Sequence, residues 1–320
     1  VTTTRRRFSA LALALAAGLT TMTGAMAEQA APKEFRIGYQ KVGLIVVARQ
    51  QGTIEKRLAP AGTKVRWVEF QAGPPLLEAL NAGGIDFGYT GDAPPIFSQA
   101  AGGNLVYVSA SAPSGDGEGI VVKAESPIHT VADLKGRTVA VGRGTSAHNL
   151  LVAALEKAGL PFSDIKPAYL LPADAGSAFA NNSVEAWAIW DPYLALAQAR
   201  NDTRILATSG QVHDVSAYFL ANKTFAEAHP GVVTSALAGL SEAADWADAH
   251  RDQVAQALAD VTGIPFAIQK VAADRTQFGV RPLSDAILAS QQTTADRFFR
   301  LGLIPRAIRV RDAVWTPPRS

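Results

Sequence analysis

Short β-rich runs alternate with longer helical ones along most of the chain. "FRIGY" (35–39), "VRWVEF" (65–70), "IDFGYT" (85–90) and "LVYVSA" (105–110) are rich in branched and aromatic residues, as strands are. Between them, apolar residues at helical spacing predict helices around 43–58, 74–82 and 93–101. Parallel strands need such crossovers, so the pattern predicts an α/β fold with mainly parallel sheets. It then returns about a hundred residues later: "RIGYQKVG" is similar to "AVGRGTSA", "VEFQAGPPLLEAL" to "YLLPADAGSAFA", and "IDFGYTGDAPP" to "VEAWAIWDPYL". Three matches in the same order predict two similar lobes.

The Gly- and Ser-rich "SAPSGDGEG" (111–119) reads as a hinge crossing between the lobes, and "VHDVSAYFLANK" (212–223) as the return. This divides the chain into one lobe of 33–112 with 222–320 and a second of 113–221. The stretches 232–261 and 284–302 have an Ala/Leu helical periodicity that predicts packing on the first lobe. No chemistry is legible in them.

Arg5, Arg6 and Arg7, an apolar run from Ala10 to Leu19 and an A-x-A site at Ala25-Met26-Ala27 read as an export signal over residues 1–27. "TRRRF" (4–8) fits the twin-arginine route as well as an ordinary basic head, so the route stays open. An exported chain of this type belongs in the periplasm, and the absence of cysteine excludes a disulfide framework and a lipoprotein anchor. Without the three signal arginines, the 30 basic residues fall to 27 against 28 acidic ones. A near-neutral surface without Lys/Arg runs excludes nucleic acid as a partner.

"TVAVGRGTSAHNLL" (138–151) places glycines between a strand and a helix start. Gly142, Gly144 and Ala147 fit G-x-G-x-x-A, the turn that seats a dinucleotide pyrophosphate. The fingerprint also wants an acidic residue after the next strand, near 167–171, and Pro172 stands there. Thr145 and Ser146 follow Gly144, so there is no G-K-[ST] P-loop, and His148 replaces the last glycine of G-x-S-x-G. An anion cradle on the helix N-terminus and a merely tight turn both remain open. Ligands of open α/β sheets bind outside the carboxyl ends of the strands, here Gln40, Gln71 to Gly73, Thr90 to Asp92, Gly142 to Ser146, Pro172 to Asp174, and Trp190-Asp191. Several of these ends open a helix, so an anion is the natural guest.

The five histidines are scattered, which excludes a zinc motif; no metal and no cofactor is expected. His148, one turn into the cradle helix, is read either as a ligand donor or as a packed side chain. Asp92 and Asp191 precede Ala93-Pro94-Pro95 and Pro192-Tyr193, which reads as N-capping rather than as a hydrolytic carboxylate pair. A Ser146–His148–Asp191 triad is disfavoured because residues two apart point to different helix faces.

With these stretches assembled, the chain resembles the substrate-binding proteins of bacterial ABC importers, in the aliphatic-sulfonate group of the nitrate, sulfonate and taurine family. "RIGYQK", "VEFQAGPPLLEALNAGGIDFGYTGDAPPIFSQAAG", "TVADLKGRTVAVGRGTSAHNLL" and "WAIWDPYLA" carry the likeness, which covers nearly all of 33–318. Trp190-Asp191 ahead of Pro192 favours alkanesulfonates over taurine. The resemblance implies a two-lobed periplasmic-binding-protein fold of type II. It implies a monomer with no catalytic role that delivers its ligand to an inner-membrane permease with an ATPase. It also implies a cleft in which Gly144, Thr145, Ser146 and Ala147 hold the sulfonate, with His148 beside them. Gln40, Gly91 and Asp92 would face it, Trp190 would cover the alkyl tail with Asp191 next to it in the site, and Tyr218 would close over the ligand or brace the hinge. Another small oxyanion or taurine is the alternative guest, and a secreted hydrolase the alternative class.

Overall fold

Phe35, Ile37 and Tyr39 alternate with Arg36 and Gly38 along the first strand, which sends the three large side chains to one buried face. The computed structural model describes residues 31–113, 115–200, 202–213 and 216–317, and the export segment read at 1–27 lies outside them.

The first half runs β1 (Glu34–Tyr39), α1 (Gly43–Gln51), α2 (Thr53–Leu58), β2 (Lys64–Glu69), α3 (Gly73–Asn81), β3 (Phe87–Thr90), α4 (Ala93–Ala100) and β4 (Leu105–Pro113). The second runs β5 (Glu118–Lys123), β6 (Thr138–Val141), α5 (Ser146–Lys157), β7 (Lys166–Tyr169), α6 (Pro172–Ala180), β8 (Ala186–Trp190), α7 (Tyr193–Ala199), β9 (Thr203–Thr208) and α8 (Ser209–Val212). The chain then returns through β10 (Ser216–Asn222) to α9 (Lys223–Ala228), α10 (Pro230–Ala249), α11 (Arg251–Thr262), α12 (Phe266–Arg275), β11 (Val280–Arg281) and α13 (Asp285–Arg300). The single helix expected over 43–58 is two, because Gly52 takes a left-handed φ of 62° that ends α1 and turns the chain into α2.

Two sheets form, in the orders β11-β4-β10-β3-β1-β2 and β7-β6-β8-β5-β9. The orders coincide when β1, β2, β3 and β4 are matched with β6, β7, β8 and β9, so the internal sequence repeat is a repeat of topology. In each sheet one strand is inserted against the direction of its neighbours, β10 in the first and β5 in the second. The remaining central strands run parallel to one another, as the element pattern predicted; the inserted strands did not announce themselves.

Each sheet is covered on both faces. One face of the first packs on α1, α2 and α10, where Ile45, Ile54, Val233 and Leu240 are fully buried together. The other carries α3, α4 and α13, with Leu76, Ile96 and Phe298 at its centre. The second sheet is covered by α5 through Leu150, Leu151 and Leu155, and by Ala175 and Phe179 of α6 with Leu194 of α7. The C-terminal helices do pack on the first sheet, yet they also reach the second half. Arg297 of α13 donates to Glu156 at 2.7 Å and to Asn149 at 3.0 Å, and Arg275 of α12 lies 3.5 Å from Asp191.

Candidate functional site

The carboxyl ends of β1, β3, β6 and β8 converge on one cleft between the sheets. Gln40, Gly91, Asp92, Thr145, Ser146, Trp190 and Asp191 line it, together with Tyr89, Glu118, Phe219, Phe278 and others. Ser146 opens α5 and points its first turn at the cleft. Across from it, Gly91 comes so close that a Cβ there would lie 2.6 Å from Ser146 Cβ. Only a glycine allows that approach.

The cradle is narrower than the motif promised. The Gly144 N–H donates to His148 Nδ1 at 3.2 Å, and both the Thr145 N–H (3.2 Å) and its hydroxyl (2.7 Å) donate to Gly142 O. These donors are spent inside the turn. What remains at the helix start is the Ser146 hydroxyl with the N–H groups of Ser146 and Ala147, which have no carbonyl partner within a helix. The Ala147 side chain itself is fully buried in the core.

His148 is not a cleft residue. It is fully buried among Phe97, Phe162, Tyr169 and Phe298. Burial pushes its pKa down to about 4, with Arg143 adding to the effect, so the ring is neutral and its Nδ1 is an acceptor. That arrangement dismantles the triad reading, since the ring is engaged with Gly144. Tyr218 is likewise buried, stacked edge-on against Tyr107 with its hydroxyl 3.5 Å from Ile287 O. It braces α13 against the sheet and does not line the cleft.

Asp92 does not cap α4. Its side chain makes no cap hydrogen bond; Oδ2 accepts from Asn149 Nδ2, and Oδ1 is buried without a partner. Burial raises its pKa to about 7, against the opposing pull of Asn149 and of Arg297 behind it. Asp191 does act as a cap, accepting from the Ala195 N–H at 2.9 Å, and pairs with Arg275. Its pKa rises to about 6 by burial, opposed chiefly by Arg275. Gln40 is buried and donates to Tyr89 O at 3.3 Å. Trp187 is a core residue whereas Trp190 is only partly buried, so Trp190 presents surface to the cleft.

Glu118, Tyr89, Phe219, Arg275 and Phe278 were missed. Glu118 heads β5, only 7% exposed, with Oε2 lacking a partner. Tyr89 lies across the cleft, and Arg275 with Phe278 comes from the C-terminal part. The one available signal for Glu118 was an acid heading an apolar run inside the crossing segment.

The model of the NMT1-like family matches residues 28–263. The chain belongs to the NMT1-like family. Within it, the chain is 42% identical to the alkanesulfonate-binding protein SsuA of Xanthomonas axonopodis pv. citri, solved bound to MOPS, over 89% of this chain and 99% of that one, with a TM-score of 0.86. It is 43% identical to the periplasmic aliphatic sulphonate binding protein SsuA of Escherichia coli, over 91% and 94% of the two chains, with a TM-score of 0.82. The taurine-binding periplasmic protein of Escherichia coli (strain K12) is 27% identical over 58% of each chain. The resemblance read from the motifs and the two-lobed α/β fold are both borne out.

Proposed function

We propose that the chain captures aliphatic sulfonates in the periplasm and presents them to an ABC importer. The observation that carries this is the pairing, in one cleft, of a helix start whose first N–H groups, at Ser146 and Ala147, have no carbonyl partner within a helix, and an apolar wall of Trp190, Phe219 and Phe278. A sulfonate needs both. Its head is ionised at every physiological pH and accepts several hydrogen bonds, so neutral N–H and O–H donors satisfy it. Its tail gains from apolar cover. The high identity to two sulfonate binders over nearly their whole length supports the same reading.

The protein acts in this reading as a monomeric binder and not as an enzyme. The lobe bounds read from the sequence, 33–112 with 222–320 and 113–221, need one correction: β10 (Ser216–Asn222) is a strand of the first sheet, so the first lobe resumes with it, and a hinge at the two crossings closes the cleft on the guest. An inner-membrane permease and its ATPase complete the importer. Among the described residues no helix is long and apolar enough to cross a membrane.

The test is a calorimetric screen of methanesulfonate, longer alkanesulfonates, taurine, nitrate and sulfate in buffers free of sulfonate groups. Alkanesulfonates are expected to bind most tightly. Tighter binding of nitrate or sulfate, or no sulfonate binding, overturns the reading.

A further inference from the structure

An anion site lined by three carboxyl groups poses a problem of charge. Asp92, Glu118 and Asp191 all face the cleft, and three ionised carboxylates would repel the guest that the helix start attracts. The surroundings treat the three differently. Asp191 has Arg275 of α12 beside it. Asp92 accepts from Asn149, which in turn accepts from Arg297 of α13. Glu118 has a hydroxyl donor, Ser146 of α5, but no cation: the other groups acting on it are Asp92 from the β3–α4 turn and Asp191 from the end of β8. Tyr89 of β3 also faces it and brings no charge of its own. Glu118 is more than nine-tenths buried, lines the cleft, and its Oε2 has no partner in the protein.

We propose that Glu118 holds its proton and donates it as a hydrogen bond to the bound oxyanion, beside the Ser146 hydroxyl. The proposal rests on the sulfonate reading and deepens it. A protonated carboxyl is a neutral donor in a partly desolvated place, and a sulfonate oxygen is an acceptor with no proton of its own, so the two are matched. Burial and the two neighbouring acids push the Glu118 carboxyl up to about 8 in the absence of ligand, and a bound anion raises it further. Burial raises all three acids, and a cation opposes the rise at Asp92 (Arg297) and at Asp191 (Arg275) but not at Glu118. Binding is therefore linked to a proton above about pH 8. The linkage has a definite sign: the protonated form binds, so above about pH 8 affinity falls toward tenfold per pH unit on account of Glu118.

The experiment is calorimetry of the chain with methanesulfonate from about pH 6 to about pH 9.5, in pairs of sulfonate-free buffers with different heats of ionisation. Wild type should show the fall in affinity and, near pH 9, uptake approaching one proton per anion bound. Glu118→Gln keeps a donor and cannot ionise; its affinity should stay level above about pH 8, while Asp92→Asn should keep the fall there. A wild-type profile that is level above about pH 8 overturns the proposal, as does a fall above about pH 8 that persists in Glu118→Gln. Affinity for taurine that rises above about pH 8 also overturns it, because an ionised Glu118 would then be serving the ammonium group. If Glu118→Gln fails to fold, the wild-type proton count still decides. Absence of methanesulfonate binding at every pH removes the functional reading and the proposal together; binding without proton uptake removes the proposal alone.

Discussion

Gly91 offers the sharpest test of how the cleft closes. A Cβ at this position would meet Ser146 Cβ at 2.6 Å, Ser146 Oγ at 2.8 Å and Ser146 Cα at 3.6 Å. Carbon atoms in ordinary contact sit about 3.5–4.0 Å apart, so Gly91→Ala forces the facing walls apart by about 1 Å. Gly91 is not in a left-handed conformation, so alanine adds no backbone strain and the whole effect falls on the contact across the cleft. Overpacking of this kind costs about 1–3 kcal/mol. If the cost is met only in the closed form, it appears as an affinity loss of about 5- to 150-fold. Calorimetry with a short alkanesulfonate reads that loss, and thermal unfolding without ligand should leave the melting temperature within a degree or two of wild type. Ser146→Gly removes the clashing atoms, so the double variant should bind better than the sum of the single effects predicts. Binding of Gly91→Ala within twofold of wild type would refute the reasoning, since the two walls would then not meet at this point when ligand is held.

Ser146→Glu puts a carboxylate at the helix start beside Glu118 and Asp92, which should abolish sulfonate binding while circular dichroism stays unchanged; wild-type affinity would show that the anion sits elsewhere. Trp190→Ala should weaken long-chain alkanesulfonates more than methanesulfonate, by about 25 cal/mol for each Å² of apolar cover removed, and an equal loss for both would contradict a tail-covering role. His148 binds a proton in the unfolded chain near the usual pH 6.5 but in the fold only near 4, so its contribution is complete above about pH 6.5 and is lost as pH falls toward 4, by roughly 3 kcal/mol at most. The cleft carboxyls, raised in the fold, act with the opposite sign, so the measurement is the stability difference between wild type and His148→Gln. That difference should shift by about 2–3 kcal/mol in favour of the variant between pH 7 and pH 4.5, and a constant difference would be evidence against a neutral buried ring.

Local patterning determined a good deal of this protein. Strand and helix periods are properties of neighbouring residues, so the α/β class, the repeat that became two sheets of matching order, and the turn at Gly142 to Ser146 were all legible. Trp190 and Gly91 were legible for the same reason, because each stands at the carboxyl end of a strand that runs parallel to one neighbour, β8 beside β6 and β3 beside β1. What tertiary structure decided was direction. β5 is inserted against β8, so its first residue, Glu118, arrives at the edge where its neighbours end, and no periodicity marks a strand as reversed. Packing alone turned His148 inward among Phe97, Phe162 and Phe298, where its ring took the Gly144 N–H that the motif had reserved for a ligand. Arg275 joined Asp191 across 84 positions of chain. Burial raised the three cleft acids, and only the fold could bring Arg297 and Arg275 to oppose that rise at Asp92 and Asp191 while leaving Glu118 without a cation.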